Sequence, residues 1–107
     1  MNTLVTGDDS QLVVRLLRDG QPFPIVSTAT VSAALVSQDH KRKLSDTIVA
    51  LPTGAGAKWD MSLVALLFPS AVTDAITEFG PALVEIQVAG IITETWFIDV
   101  QIVKGQV

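Results

Sequence analysis

Apolar and polar side chains alternate along the C-terminal segment VEIQVAGIITETWFIDVQIV, residues 84–103. A period of two places alternate side chains on opposite faces of a strand, so the pattern predicts two half-buried strands that turn at Gly90. The predicted buried stripes are Val84, Ile86 and Val88 on the first strand and Trp96, Ile98, Val100 and Ile102 on the second. The segment therefore predicts a β-hairpin with one face in the core.

Four further strands are predicted upstream by the same alternation, at 11–18, 25–37, 44–51 and 59–67. The turn residues between these segments agree with strands, because Asp-Gly pairs and prolines interrupt the chain where strands end. The stripe expected to face the core is Leu12, Val14 and Leu16 in the first strand, Ala29, Val31, Ala33 and Leu35 in the second, and Trp59, Met61 and Leu63 in the last. QDHKRK, residues 38–43, is expected to be a charged hairpin tip, and PTGAGAK, residues 52–58, a flexible connection.

The segment PSAVTDAITEFG, residues 69–80, has a different period. Its apolar positions Val72, Ala75, Ile76 and Phe79 recur at three- and four-residue spacing, which is typical of a helix. Pro69 or Ser70 suits the start of a helix and Gly80 its end, so one short helix or helical turn is predicted there.

These six strand segments and one helical turn near residues 70–79 indicate an all-β, immunoglobulin-like β-sandwich of about seven short strands. A chain of 107 residues is expected to form one domain. We predict a polar N-terminal lead at 1–10, a single β-sandwich domain at 11–104 and a tail or linker stub at 105–107. The chain contains neither cysteine nor tyrosine, so the sandwich must be held together by packing alone.

Charge and hydropathy narrow the classes of function. The formal net charge is -4, which argues against nucleic acid as a partner because phosphate contacts need clustered cations. The longest apolar run, Leu63 to Phe68, is too short to span a bilayer, and the first residues do not resemble a signal peptide. We therefore expect a protein made in the cytoplasm that has no membrane partner.

Composition also points to partners. Nearly half of the residues, 49%, are hydrophobic, and only 17% are charged. This excess of apolar side chains must be buried within the fold or against other proteins.

Few residues are candidates for catalysis or ligand binding. His40 is the single histidine, so a Ser-His-Asp arrangement would have to use it, but it lies among cations on a predicted solvated loop. Lys41, Arg42 and Lys43 could contact phosphate, an acidic glycan or an acidic patch of a partner. A soluble hairpin tip that protects a sheet edge explains the same run, and we favour that interpretation.

Two other segments resemble ligand sites only weakly. Asp8 and Asp9 could contribute to a calcium site, but no further carboxylates follow at the spacing of a calcium-binding loop. TGAGAKW, residues 53–59, lacks the spacing of a phosphate-binding loop. We therefore assign no catalytic, cofactor-binding or metal-binding residue and expect no cofactor.

The aromatic residues suggest contacts rather than catalysis. Trp59 and Trp96 could stack on sugar rings, although both fall in step with predicted core stripes. Phe97 follows Trp96 and should point outward, and an exposed aromatic on a regular strand indicates a protein contact.

The order of these segments resembles a known family. GDDS at 7–10, LVVRLLRDGQPFPI at 12–25, TATVSAALVS at 28–37, PSAVTDAITEFGPALVEIQV at 69–88 and TETWFIDVQIVKG at 93–105 carry the resemblance. Together they are similar to the N-terminal immunoglobulin-like module of phage baseplate upper proteins, and more broadly to small tail-associated domains of tailed phages.

The resemblance implies a non-catalytic structural or adaptor module of a phage or prophage tail. It implies contacts with other tail or baseplate proteins, a homo-oligomer and a place in the virion. In that family a downstream part carries the receptor-binding apparatus. The alternative is a β-sandwich module that binds carbohydrate or another ligand through exposed aromatic side chains or polar loops.

Overall fold

The computed structural model describes residues 2–26, 28–52, 59, 62–90 and 92–105. Within these residues the chain forms short β-strands and a single-turn helix. The first strands are β1 (Asn2–Val5), β2 (Ser10–Arg15), β3 (Leu17–Arg18), β4 (Gln21–Pro22) and β5 (Thr30–Val36). They are followed by β6 (Ile48–Val49), β7 (Leu51–Pro52), β8 (Leu63–Phe68), α1 (Ser70–Thr73), β9 (Gly80–Ala89) and β10 (Thr93–Val103).

Two sheets of unequal width form the sandwich. The larger has the strand order β1-β10-β9-β5-β6, and the smaller has the order β2-β8-β7. Placing β5, β9 and β10 in one sheet and β2, β7 and β8 in the other is the immunoglobulin-like arrangement. The predicted all-β sandwich is therefore confirmed, and β3 and β4 add a small separate hairpin after β2.

The C-terminal hairpin forms as predicted. β9 and β10 pair antiparallel from Thr93↔Ala89 to Ile102↔Gly80, and Gly90 lies in the turn. The side chains predicted for the core stripe are buried or pack against the core, including Val84, Ile86, Val88, Val100 and Ile102. Burial of each such side chain is worth about 1.5–3 kcal/mol, so this hairpin is a main contributor to stability.

The prediction that residues 1–10 form only a polar lead is wrong at both ends of that segment. β1 pairs parallel with β10, and Leu4 is fully buried opposite Ile102. Ser10 already belongs to β2 and pairs with Phe68. A four-residue strand with one buried side chain is too short to show a recognisable period. Its pairing could not be predicted either, because its partner strand lies about a hundred residues away in the sequence.

The core phase predicted for residues 59–67 is also wrong. β8 begins only at Leu63, and its buried side chains are Val64, Leu66 and Phe68 rather than the odd-numbered positions. Ser62, just before β8, has a φ of 62°, a left-handed conformation that is incompatible with a continuous extended strand through this position. Extrapolating the alternation from Trp59 across this point assigns the wrong face. Met61 lies outside the described residues.

The segment predicted as one strand at 44–51 divides between the two sheets. β6 pairs with β5 in the larger sheet, whereas β7 pairs with β8 in the smaller one. Ala50 lies between them, and its N–H donates to Val31 O. Upstream, the predicted strand at 25–37 is shortened to β5, while Leu12, Val14 and Leu16 face the core as expected.

The helix is shorter than predicted. α1 ends at Thr73, and Gly80 begins β9 with a φ of 103° instead of ending the helix. Ile76 is buried as its spacing predicts, but Phe79 is exposed. Thr73 holds this region in place, because its hydroxyl accepts from Gly7 N–H and donates to Asp8 O.

Leu4→Ala is expected to lower the free energy of unfolding by about 3 kcal/mol, because it leaves a cavity beside Ile102. Urea denaturation followed by circular dichroism measures the change. Thr3→Ala is the matched control on the exposed side of the same strand, with an expected effect within about 0.5 kcal/mol. Equal effects of the two substitutions would contradict the assignment of β1 to the core.

Candidate functional site

The loop between β5 and β6 folds into a closed turn at its tip, residues 37–43. Ser37 N–H donates to Arg42 O at 2.9 Å, and Arg42 N–H donates to the Ser37 hydroxyl at 3.1 Å. The Asp39 carboxylate accepts from the Ser37 hydroxyl and from Lys41 N–H. His40 adopts a φ of 63° in the turn. This network fixes the backbone of the basic run QDHKRK.

The tip covers part of the outer face of the larger sheet. The imidazole of His40 packs on Phe97 of β10, with 4.3 Å between ring centroids. Ala34, Val36 and Leu83 point away from the core on β5 and β9 yet are buried. Phe97 does point outward as predicted and remains 42% exposed, but it already has an intramolecular partner.

A cavity of about 400 Å³ lies between the tip and the sheet. One wall carries the consecutive side chains of His40, Lys41, Arg42 and Lys43. The floor is the outer face of β5 and β9, which presents Ser32, Ala34, Val36, Glu85 and Gln87, and Thr47 closes one side. The sequence predicted the basic tip but gave no signal for the polar floor beneath it, because the floor is made by distant strands.

The basic side chains of this wall differ in the contacts they make with the rest of the protein. Arg42 pairs with Glu78 at 2.5 Å, and the Lys43 ammonium group donates to the Thr47 hydroxyl at 2.6 Å. Among the described residues, neither Lys41 nor Lys43 forms an ion pair. The interpretation of this run as a plain solvated tip is therefore incomplete. Arg42 anchors the loop through its ion pair, and Lys41 and Lys43 line the cavity.

The structure places the other candidate residues in structural contacts. The Asp9 carboxylate accepts from Ser70 N–H at 2.6 Å and so caps the start of α1, while Asp8 O accepts from Thr73. No group of three or more His, Asp or Glu side chains that could hold a metal ion occurs in the described part of the chain. Residues 53–58, which make up most of the TGAGAKW segment and of the predicted flexible connection, lie outside the described residues.

The tryptophans pack against the core, although neither is fully buried. Trp96 Nε1 donates to Leu17 O at 2.9 Å, and the Arg18 guanidinium lies 4.0 Å from the centroid of its ring. Phe23 meets the same indole edge-on at 4.9 Å. Arg18 also binds Glu94 at 2.9 Å. These contacts join the β3–β4 hairpin to β10.

A second surface, on the smaller sheet, was missed by the sequence analysis. The outward positions Val13, Ala65 and Leu51 lie side by side across β2, β8 and β7. Val13 is 55% exposed, Leu51 57% and the neighbouring Leu67 46%. We call these four residues the apolar face. The signal was present in LVALLF, residues 63–68, because a strand that is apolar at every position is typical of burial on both sides.

Comparisons with known proteins support the fold alone. No protein-family model matches the sequence, and no curated protein matches it. A crystal structure from Bacteroides vulgatus ATCC 8482, described as a "putative glycoside hydrolase", is similar, with a TM-score of 0.55 and 13% sequence identity. The similarity covers 99% of this chain but only 17% of that protein. No helix in the described residues is long and apolar enough to cross a membrane.

Protonation of the Asp39 carboxylate at low pH is expected to destabilise the turn at residues 37–43. Hydrogen bonds from the Ser37 hydroxyl and the Lys41 backbone amide hold the pKa of the Asp39 carboxyl below its ordinary value of 3.8. A lowered folded-state pKa stabilises the fold above pH 3.8, and the stabilisation is lost as the pH falls through the folded-state value. We expect Asp39→Asn to be less stable than the wild type at pH 6 and equal to it in strong acid.

Urea denaturation of both proteins across this pH range measures the difference in the free energy of unfolding. Asp19→Asn, at the exposed β3–β4 turn, is the control for loss of a single charge. A difference that did not change with pH would contradict the role given to the Asp39 carboxylate.

Proposed function

We propose that this protein is a non-catalytic structural adaptor of a phage or prophage tail, of the baseplate type, that acts through protein contacts. The observation that carries the proposal is the apolar face on the smaller sheet. A sandwich sheet that faces solvent normally alternates apolar and polar side chains, but β8 has only apolar ones. A flat apolar centre is the usual core of a protein interface.

The surroundings of the apolar face favour a protein partner. Gln11 and Arg15 flank it on β2 and are exposed, so they supply part of a polar rim. β2 is also at the edge of the smaller sheet, where a strand of a partner can add by backbone hydrogen bonds. The first candidate partner is a second copy of this chain, and other tail or baseplate proteins are the further partners.

The assignment to a phage tail depends on the order of sequence segments that resembles the baseplate module. That resemblance also supports the proposed location in the virion, after synthesis in the host cytoplasm. A domain of similar fold forms 17% of the larger protein from Bacteroides vulgatus, which agrees with the use of this fold as one module among others. A position of the gene among tail genes would agree with the proposal, and a position among metabolic genes would oppose it.

Carbohydrate binding at the tryptophans is not the function we favour. Both tryptophans pack against the core, and Trp96 also has Arg18 over its ring and Phe23 beside it, so these contacts compete with stacking on a sugar. Similarity to a protein described as a "putative glycoside hydrolase" at 13% identity does not transfer a substrate to this chain.

Val13→Glu is expected to weaken self-association by at least about tenfold, because it replaces an exposed side chain of the apolar face with a charge. Sedimentation equilibrium at several concentrations measures the dissociation constant. Val49→Glu is the matched control, since Val49 is also exposed but lies on the outer face of the larger sheet. We expect that variant to stay within about twofold of the wild type.

Two results would oppose the proposal. The first is a wild-type protein that stays monomeric at every concentration and also binds no tail protein encoded beside it. The second is equal weakening by both substitutions, which would assign the contact to the larger sheet or to net charge alone.

A further inference from the structure

The cavity beneath the tip has the dimensions of a ligand site. Its volume of about 400 Å³ falls within the range of roughly 300–1,000 Å³ that is usual for small-molecule pockets. It lies on the larger sheet, whereas the apolar face lies on the smaller one. A ligand here would therefore leave the proposed protein contact free.

Positive charge is concentrated at this cavity in an otherwise acidic protein. The chain has seven Lys and Arg residues and a net charge of -4, yet three of those seven occur in sequence at 41–43. Because Lys41 and Lys43 make no ion pair with any described carboxylate, their ammonium groups are available to an anionic ligand.

The wall is also held in position before any ligand binds. The turn hydrogen bonds, the Arg42–Glu78 ion pair and the contact of His40 with Phe97 fix the tip at three points. A site whose residues are already ordered loses less conformational entropy on binding. A hairpin tip that only provides solubility needs no such anchoring.

The floor restricts the kind of anion. Glu85 and Gln87 point outward from β9 into the cavity, and their side chains make no hydrogen bond to another described residue. The Glu85 carboxylate repels a compact anion such as phosphate, but it accepts hydrogen bonds from hydroxyl groups. The part of a suitable ligand that enters the cavity therefore carries a single negative charge at one end and hydroxyl donors at the other.

We propose that this cavity binds a hexuronic acid unit of an acidic polysaccharide. The sugar carboxylate lies against the ammonium groups of Lys41 and Lys43. Its ring hydroxyls donate to Glu85 and to the side-chain carbonyl of Gln87. This binding site goes beyond the proposed adaptor function and does not depend on it.

The test is titration of the full chain with trigalacturonate, followed calorimetrically and by NMR shifts of the backbone amides. We expect a dissociation constant below about 1 mM, and binding of the neutral oligosaccharide galactotriose to be at least about tenfold weaker. The largest shifts are expected at residues 37–43 and along β9.

Variants assign the roles within the cavity. Lys41→Gln combined with Lys43→Gln is expected to weaken trigalacturonate binding at least about tenfold, whereas Lys104→Gln, outside the cavity, should change it less than about twofold. Glu85→Ala is expected to weaken trigalacturonate binding, because it removes the acceptor for the sugar hydroxyls, and to strengthen binding of inorganic phosphate, because it removes the negative charge. A decrease in affinity for trigalacturonate together with an increase for phosphate would distinguish recognition of sugar hydroxyls from simple attraction between charges.

Several results would overturn the proposal. They are an absence of trigalacturonate binding by a correctly folded wild type, equal binding of galactotriose, or displacement by polyglutamate at equal carboxylate concentration. The last would assign the cavity to acidic peptides. Circular dichroism of each variant verifies the fold, and sedimentation equilibrium of the lysine variant tests the adaptor contact separately.

Discussion

Burial of apolar side chains between two unequal sheets is the constraint on which the rest of the structure depends. The chain has no cysteine, so no disulfide can join the layers, and packing must supply what a covalent bond supplies in many small sandwiches. Both layers contribute fully buried residues, among them Leu4, Val31, Leu35, Val84, Ile86, Val100 and Ile102 from the larger sheet and Val64, Leu66 and Phe68 from the smaller. Once these stripes meet, the positions of the loops at each end of the sandwich are set.

The alternation of apolar and polar residues predicted those parts of the fold that depend only on residues close together in the sequence. The hairpin of β9 and β10, the turn at Asp19-Gly20 and the outward position of Phe97 were all readable from residues close together in sequence. Long-range pairing was not readable. The parallel pairing of β1, the change of sheet at Ala50 and the shift of phase after Ser62 each depend on backbone geometry or on a distant partner.

The candidate site also combines a local feature that the sequence predicts with long-range contacts that it does not. The basic run was visible in the sequence, and local composition alone favoured a solvated tip. The tertiary contact of His40 with Phe97, about sixty residues later, shows that the run is more than a solvated tip, because it brings the run over β9 beside Glu85 and Gln87. The two candidate surfaces therefore differ in character. One is a flat apolar face on a narrow sheet, and the other is a charged cavity roofed by a loop.

The parallel pairing of β1 with β10 has a mechanical consequence. Backbone hydrogen bonds join the strands over four registered pairs, from Asn2↔Val100 to Val5↔Val103. If the start of β1 and the end of β10 are pulled apart along the strand axis, the load acts sideways on all of these bonds at once. They must break together rather than one after another, so the fold should resist stretching strongly in this direction and yield far more readily to peeling across the sheet.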